Sequence, residues 1–188
     1  MARPLDPAEA ATAAMVHGAQ VARVDTAGVT VSGVDGLVSD RPGLPLLASF
    51  ADCYPVIVYD RNRPAVGLAH AGWRGTAAGI AGELVRTLER EYGSRPADLV
   101  AGIGPGICGD CYQVGQEVAE RFDGFARPDE EGRFRLDLVA ANRAQLEASG
   151  VPAAGIHVHG ACTFESAHLP SHRRRPDGAR FYCLVALR

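Results

Sequence analysis

The chain contains no lysine: all 19 of its basic residues are arginine. That excludes a Schiff-base lysine and the phosphate-binding lysine of a P-loop. There is one tryptophan, there are two methionines, and aromatic residues make up only 6%, so any aromatic platform must be assembled from few side chains. No uninterrupted apolar run approaches the roughly 18 residues of a membrane span. The opening segment mixes acids and prolines with its alanines and lacks the apolar stretch of a secretory signal. A formal net charge of −3 offers no basic field for nucleic acid. The one basic run, Arg173-Arg174-Arg175, is too short to change that. Neither G-x-S-x-G nor H-E-x-x-H occurs, so a serine-hydrolase elbow and a zincin helix gain no support. The expectation is a cytoplasmic protein with no nucleic-acid and no membrane partner; the sequence leaves its oligomeric state open.

What is present suits one soluble domain spanning residues 1–188, with 47% hydrophobic and 22% charged residues. The 22 glycines and 12 prolines over-supply turns and close backbone approaches. The cysteines, at 53, 108, 111, 162 and 183, are odd in number. Without a secretion signal they read as reduced thiols, to be tested as metal ligands or nucleophiles before disulfides.

Residues 1–15 tolerate a helix but are weakly patterned. Alternation and β-branching predict strands over 20–25 and 29–38, and short apolar runs predict buried strands over 44–50, 55–59 and 65–69. A spacing of four between Ile80, Leu84 and Leu88 predicts a long helix over 76–92, closed by Gly93. Strands are expected over 99–103, 156–158 and 181–187, and a short helix over 114–122. A further helix runs to Ser149, capped by Asp137 and ended by Gly150. Strands and helices interleave without a clean βαβ rhythm. The expected fold class is α/β (α+β), a layered α/β/α domain around a mixed sheet.

The chemistry concentrates between Ala51 and Gly75. Ala51-Asp52-Cys53 opens one apolar run, and His70-Ala71-Gly72-Trp73-Arg74-Gly75 lies between another run and the long helix. His17-Gly18 stands upstream. Two imidazoles and a thiolate from His17, Cys53 and His70 suit Zn²⁺ with a fourth position open, but their wide spacing equally suits a buried cysteine and two unrelated histidines. Arg74, at the expected entrance of the long helix, can serve an anion such as phosphate or pair on the surface. Trp73 can stack on a flat base or simply pack. The glycine-rich stretch from Gly102 to Tyr112 is not a dinucleotide fingerprint, though it lets backbone approach a ligand closely. Cys108 and Cys111 form a single C-x-x-C. With no second pair, a zinc ribbon gains little support and unlinked thiols read better than a redox pair. His157 and His159 share a strand face but lack a third ligand nearby, and His168 and His172 fall in a polar loop.

Read in order, several segments resemble one family. They are Val16-His17-Gly18, Ala51-Asp52-Cys53-Tyr54-Pro55-Val56 and Ala69-His70-Ala71-Gly72-Trp73-Arg74-Gly75. Then follow Gly104-Pro105-Gly106-Ile107-Cys108 with Cys111-Tyr112-Gln113-Val114, Leu136-Asp137-Leu138 with Ala141-Asn142-Arg143, and Cys162-Thr163. Together, over residues 16–188, they resemble the multicopper polyphenol oxidase, or laccase-domain, family, also called the YfiH-like purine nucleoside phosphorylases.

The resemblance implies a three-layer α/β fold and a metal held by His17, Cys53 and His70. It implies phosphorolysis of adenosine, inosine, guanosine and methylthioadenosine, and hydrolytic deamination of adenosine, so that purine nucleosides and phosphate are the expected partners. Cys53, His70 and Arg74 are the expected catalytic residues, and Trp73, Arg74, Gly104, Arg173 and Arg174 the expected substrate contacts. Asp52 is expected to orient a ligand imidazole. The family's older name implies copper and phenol oxidation, yet six scattered histidines suit one zinc better than a multicopper cluster. Two departures stand out. The segment before His17 is shorter than relatives carry, so part of a pocket wall is expected to be missing. Ser171-His172-Arg173-Arg174 followed by Arg175-Pro176-Asp177-Gly178 only approximates the family's Ser-Tyr-Arg-Arg-Asp-Gly. Three other readings stay open: copper-dependent phenol oxidation, a Cys/His hydrolase with Cys53 as nucleophile and His70 as base, and a non-catalytic zinc domain.

Overall fold

A computed structural model describes residues 5–188. Thirteen strands and four helices are placed among them. In chain order they are β1 (Ala11–Ala14), β2 (Val21–Arg23), β3 (Thr30–Ser32), β4 (Gly36–Ser39), β5 (Leu46–Phe50), β6 (Tyr54–Asp60), β7 (Val66–Ala71), α1 (Trp73–Ala77) and α2 (Ile80–Tyr92). They continue with β8 (Leu99–Ile103), β9 (Gln113–Val114), α3 (Gln116–Ala119), β10 (Ala126–Pro128), β11 (Phe134–Leu136), α4 (Leu138–Ala148), β12 (Ile156–Val158) and β13 (Phe181–Val185). No helix among the described residues is long and apolar enough to cross a membrane.

The centre is a six-stranded mixed sheet in the order β12-β8-β6-β7-β4-β2. Its middle strands β6 and β7 are antiparallel, with Pro55 opposite His70 and Tyr54 opposite Ala71. A four-stranded sheet, β13-β5-β1-β3, is also mixed, and β10-β11-β9 form a small third sheet.

Strand β7 shows why two layers meet there. All six of its residues are buried, and the period of two sends alternate residues to opposite faces. Ala69 and Ala71 join the core formed with α2, whereas Val66 and Leu68 join the core formed with β1 and β5. Gly67 allows the helix to come close, since a Cβ there would lie 2.7 Å from Leu84 Cδ1. On α2, Ile80, Leu84, Val85 and Leu88 are fully buried, the larger ones contributing roughly 1.5–3 kcal/mol each. The expected α/β class with a mixed sheet stands. On the face away from α2, where a second helical layer was expected, the four-stranded sheet provides the covering layer. The reason is that the 11–14, 46–50 and 181–185 runs pair with one another instead of adding to the central sheet.

Other local expectations shift for identifiable reasons. The expected long helix over 76–92 is two helices, because Gly79 adopts φ 85° between α1 and α2. The strand expected over 29–38 is broken at Gly33, φ 75°, into β3 and β4. The helix expected over 114–122 begins as strand β9, and only 116–119 are helical. The helical tendency of 1–15 gives way to one short 3₁₀ turn and strand β1; the part of that expectation on residues 1–4 lies outside the described residues. Helix α4 is capped as expected, Asp137 accepting from the Ala140 N–H at 2.9 Å.

Candidate metal centre and its cavity

His17, Cys53 and His70 converge. One ligand atom from each lies within 4.8 Å of the others, and the two imidazole rings meet edge-on with centroids 5.0 Å apart. Strand register explains part of this. Pairing of Tyr54 with Ala71 sets Cys53, just before β6, beside Gly72, just after β7. Gly72 must be bare, because a Cβ there would sit 2.7 Å from Cys53 Sγ and 3.7 Å from the His17 ring. Gly75 must be bare as well, since its Cβ would fall 2.7 Å from the Gly18 carbonyl oxygen. The glycines of the His-Ala-Gly-Trp-Arg-Gly run therefore let α1 sit down on the His17-Gly18 loop and the thiol together.

Asp35 holds the third ligand in place. Its buried carboxylate accepts N–H bonds from Val16, His17 and Gly18 at 3.2, 2.9 and 2.7 Å, fixing a loop in which His17 has φ 60°. The same carboxylate lies 3.3 Å from His70 Nδ1, leaving Nε2 as the free ring nitrogen. Burial alone would raise the Asp35 pKa, but the His70 bond and the three N–H groups outweigh it and hold the carboxyl below its ordinary value. Burial likewise disfavours a charged His70, yet the hydrogen bonds to Asp35 and Cys53 prevail and push its pKa up to about 9. His17 is lowered, by partial desolvation of its ring and by the nearby His70 charge. Asp35 was not singled out in the sequence, since it lies inside the strand expected over 29–38; it is this carboxylate and not Asp52 that contacts a histidine ring.

Asp52 does something else. It adopts φ 83° and accepts from Thr163 Oγ1 and from the Arg173 N–H, each at 2.7 Å. It thereby ties the loop after β12 to the turn that carries Cys53.

The cluster opens into a cavity of about 550 Å³ whose wall includes Trp73, Arg74, Tyr112, His172, Arg173 and Arg180. Arg74 lies over the Trp73 ring, 4.4 Å from its centroid, and Arg173 over the Tyr112 ring at 5.1 Å. Burial and the neighbouring Cys53 charge, opposed by Arg173, raise the Tyr112 hydroxyl to about 12. Helix α1 is anchored from below: buried Asn142 donates to Thr76 Oγ1 at 3.1 Å, and Gln145 to the Thr76 carbonyl at 2.6 Å. Arg74 belongs to this five-residue helix and not to the entrance of the long one, so its value to an anion rests on the guanidinium and not on a helix terminus.

Two expected substrate contacts lie elsewhere. Gly104 packs on Pro55, where a Cβ would meet Pro55 Cγ at 2.5 Å, and its N–H donates to the Pro55 carbonyl at 2.9 Å. Arg174 spends its guanidinium on the carbonyls of Thr163, Phe164, Ser166 and Leu169. Neither lines the cavity. His157 and His159 join no group of three candidate ligands among the described residues. Tyr112 and Arg180 were not singled out as contacts, although Tyr112 sits inside one of the segments that carried the resemblance.

The family model described as multi-copper polyphenol oxidoreductase laccase matches residues 2–188. The chain belongs to that family. A purine nucleoside phosphorylase of Bacteroides thetaiotaomicron is 42% identical over 140 residues, which cover 70% of this chain and 52% of its own length. The purine nucleoside phosphorylase YlmD of Geobacillus stearothermophilus is 40% identical over 177 residues, covering 85% of this chain and 65% of its own. The crystal structure of YlmD from the same organism superposes with a TM-score of 0.91 over 96% of this chain and 74% of that one, at 36% identity. An adenosine deaminase, RL5, from an unknown prokaryotic organism is 40% identical over 141 residues, covering 71% of this chain and 53% of its own. The matched region thus spans about half to two-thirds of these curated relatives.

Proposed function

We propose that this chain is a zinc enzyme of purine nucleosides, cleaving adenosine, inosine, guanosine and methylthioadenosine with phosphate and deaminating adenosine. The observation that carries the reading is the His17–Cys53–His70 cluster opening into an arginine-walled cavity, in a chain about 40% identical to proteins named for these two activities. The donor set fits one zinc ion: two imidazoles and a thiolate on one side, an open cavity on the other, and Asp35 behind His70. Such an ion supplies Lewis-acid polarisation and lowers the pKa of water.

The remaining work falls to the protein. Arg74, Arg173 and Arg180 make the cavity wall cationic, and Arg74 makes no side-chain hydrogen bond among the described residues, so its N–H groups are available to phosphate. In phosphorolysis a phosphate oxygen bonds to the ribose C1′ as the bond from C1′ to the base breaks. The base leaves with the electron pair and takes up a proton. Holding phosphate and nucleoside together in one walled cavity supplies the orientation this displacement needs. The guanidinium planes that Arg74 and Arg173 lay over Trp73 and Tyr112 offer flat surfaces against which a purine can lie. In deamination the same cavity holds the base while water replaces its amino group.

The test is turnover of adenosine by the zinc-loaded chain, with and without phosphate, following adenine and inosine separately. Phosphate-dependent adenine release and phosphate-independent inosine release are expected. Absence of both products overturns the reading. Oxidation of a phenol by the copper-loaded chain instead would favour the chemistry in the family's description.

A further inference from the structure

Away from the cavity, the structure gathers three of the five thiols. One ligand atom from each of Cys108, Cys111, Cys162 and Glu165 lies within 4.8 Å of all the others. All five cysteines are free thiols, and the chemistry proposed above uses none of these three. We propose that Cys108, Cys111, Cys162 and Glu165 form a second zinc site, structural and closed, that clamps the loop after β12 to the turn after β8.

The backbone is arranged for this. Cys108 and Cys111 stand at the ends of one tight turn, in which the N–H groups of Cys111 and Tyr112 both bond the Cys108 carbonyl, at 3.0 and 2.9 Å. Cys162 and Glu165 stand at the same spacing in a second turn, in which Ser166 N–H bonds the Cys162 carbonyl at 3.0 Å. The pattern is C-x-x-C followed by C-x-x-E, two knuckles facing each other, with an oxygen ligand where a second C-x-x-C would carry sulfur. A parallel bridge between Gly106 and Cys162 and the bond from Thr163 N–H to the Gly106 carbonyl, 2.9 Å, set the two turns against each other. Arg174 braces the second turn by donating to three of its carbonyls. The Cys108 N–H points at Cys162 Sγ from 3.3 Å, a contact that favours the thiolate a metal requires.

The donor chemistry selects the ion. Three thiolates and one carboxylate converging on one point make a four-coordinate set for a soft to borderline cation, and zinc is the first-row ion that takes it without redox change. An iron–sulfur cluster spreads its ligand sulfurs around several metal atoms, whereas these converge. The clamp has a consequence for the cavity. The clamped loop carries Thr163 and Arg173, which bond Asp52 beside Cys53, and Arg173 covers Tyr112 next to Cys111.

The test uses the full chain carrying His17→Ala and Cys53→Ser, which empties the first cluster. Elemental analysis should still find about one zinc per chain, and cobalt replacing zinc should show strong sulfur-to-metal charge-transfer absorption. Adding Cys111→Ser and Cys162→Ser should abolish both signals. If those cysteine variants do not fold, the unmodified zinc-loaded protein decides. Cys108, Cys111 and Cys162 should resist alkylation there and become reactive when a chelator removes zinc. No zinc in the first variant, a disulfide among the three cysteines, or free alkylation of all three in the loaded protein overturns the proposal. None of these readouts depends on nucleoside turnover, so failure of the enzymatic reading leaves them intact.

Discussion

His17, Cys53 and His70 come from three separate loops and strand ends, and they face a cavity. Cys108, Cys111, Cys162 and Glu165 come from two short turns, and backbone bonds close around them. The first group depends on long-range order: the β6–β7 register, the bare Cα of Gly72, and Asp35 reaching from the start of β4 to both histidine-bearing segments. The second depends on local turn geometry repeated twice and on the single bridge between Gly106 and Cys162 that sets the two turns together. The difference matches the two jobs a zinc ion does in proteins. A reactive ion needs an open position and ligands on a rigid scaffold, whereas a structural ion needs four protein ligands and little else.

The contrast can be broken most forcefully at Asp35. Asp35→Ala removes a fully buried carboxylate that bonds three N–H groups and His70, and it should cost about 3–5 kcal/mol in denaturant titration. Zinc should leave the first cluster only. Loss of both ions together would show that the two groups are not independently built. Gly72→Ala probes the same side more gently. The added Cβ meets Cys53 Sγ at 2.7 Å, so a cost of about 1–3 kcal/mol from overpacking is expected. The first metal should be lost while Cys108, Cys111 and Cys162 stay protected from alkylation. Full retention of that metal would remove Cys53 from the ligand set. The smallest effect concerns Cys183, the one thiol outside both groups. Burial raises its pKa to about 11, so its thiolate is scarce at pH 8 and grows only as pH approaches 11. Its alkylation at pH 8 should be slow with or without chelator, giving the baseline for the other cysteines. Rapid labelling at pH 8 would show that β13 opens more readily than its pairing with β5 implies.

Much of this was legible before the fold. The apolar runs at 44–50, 55–59 and 65–69 announced the buried strands β5, β6 and β7, and the fourfold spacing from Ile80 to Leu88 announced α2. The ligand types of His17, Cys53 and His70 suited a metal ion without requiring one, and the resemblance joined them. Arg74 and Trp73 do reach the cavity. Gly104 does not, because a glycine required by close packing on Pro55 looks the same in sequence as one required by a ligand. Arg174 does not, because nothing in a run of three arginines says which one turns back to its own loop. Cys162 and Glu165 were overlooked as partners of Cys108 and Cys111, since a search for a second C-x-x-C passes over a C-x-x-E.

By itself the sequence determined the period of each element, the bare positions, the absence of lysine chemistry and the supply of soft and imidazole ligands. Those are properties of residues and their near neighbours. The tertiary structure alone decided which thiol meets which histidine, that Asp35 and not Asp52 backs His70, and that two distant turns share one point. Such meetings are set by strand register and loop crossing between segments far apart in the chain, and a pattern that repeats every two or four residues carries no information about that distance.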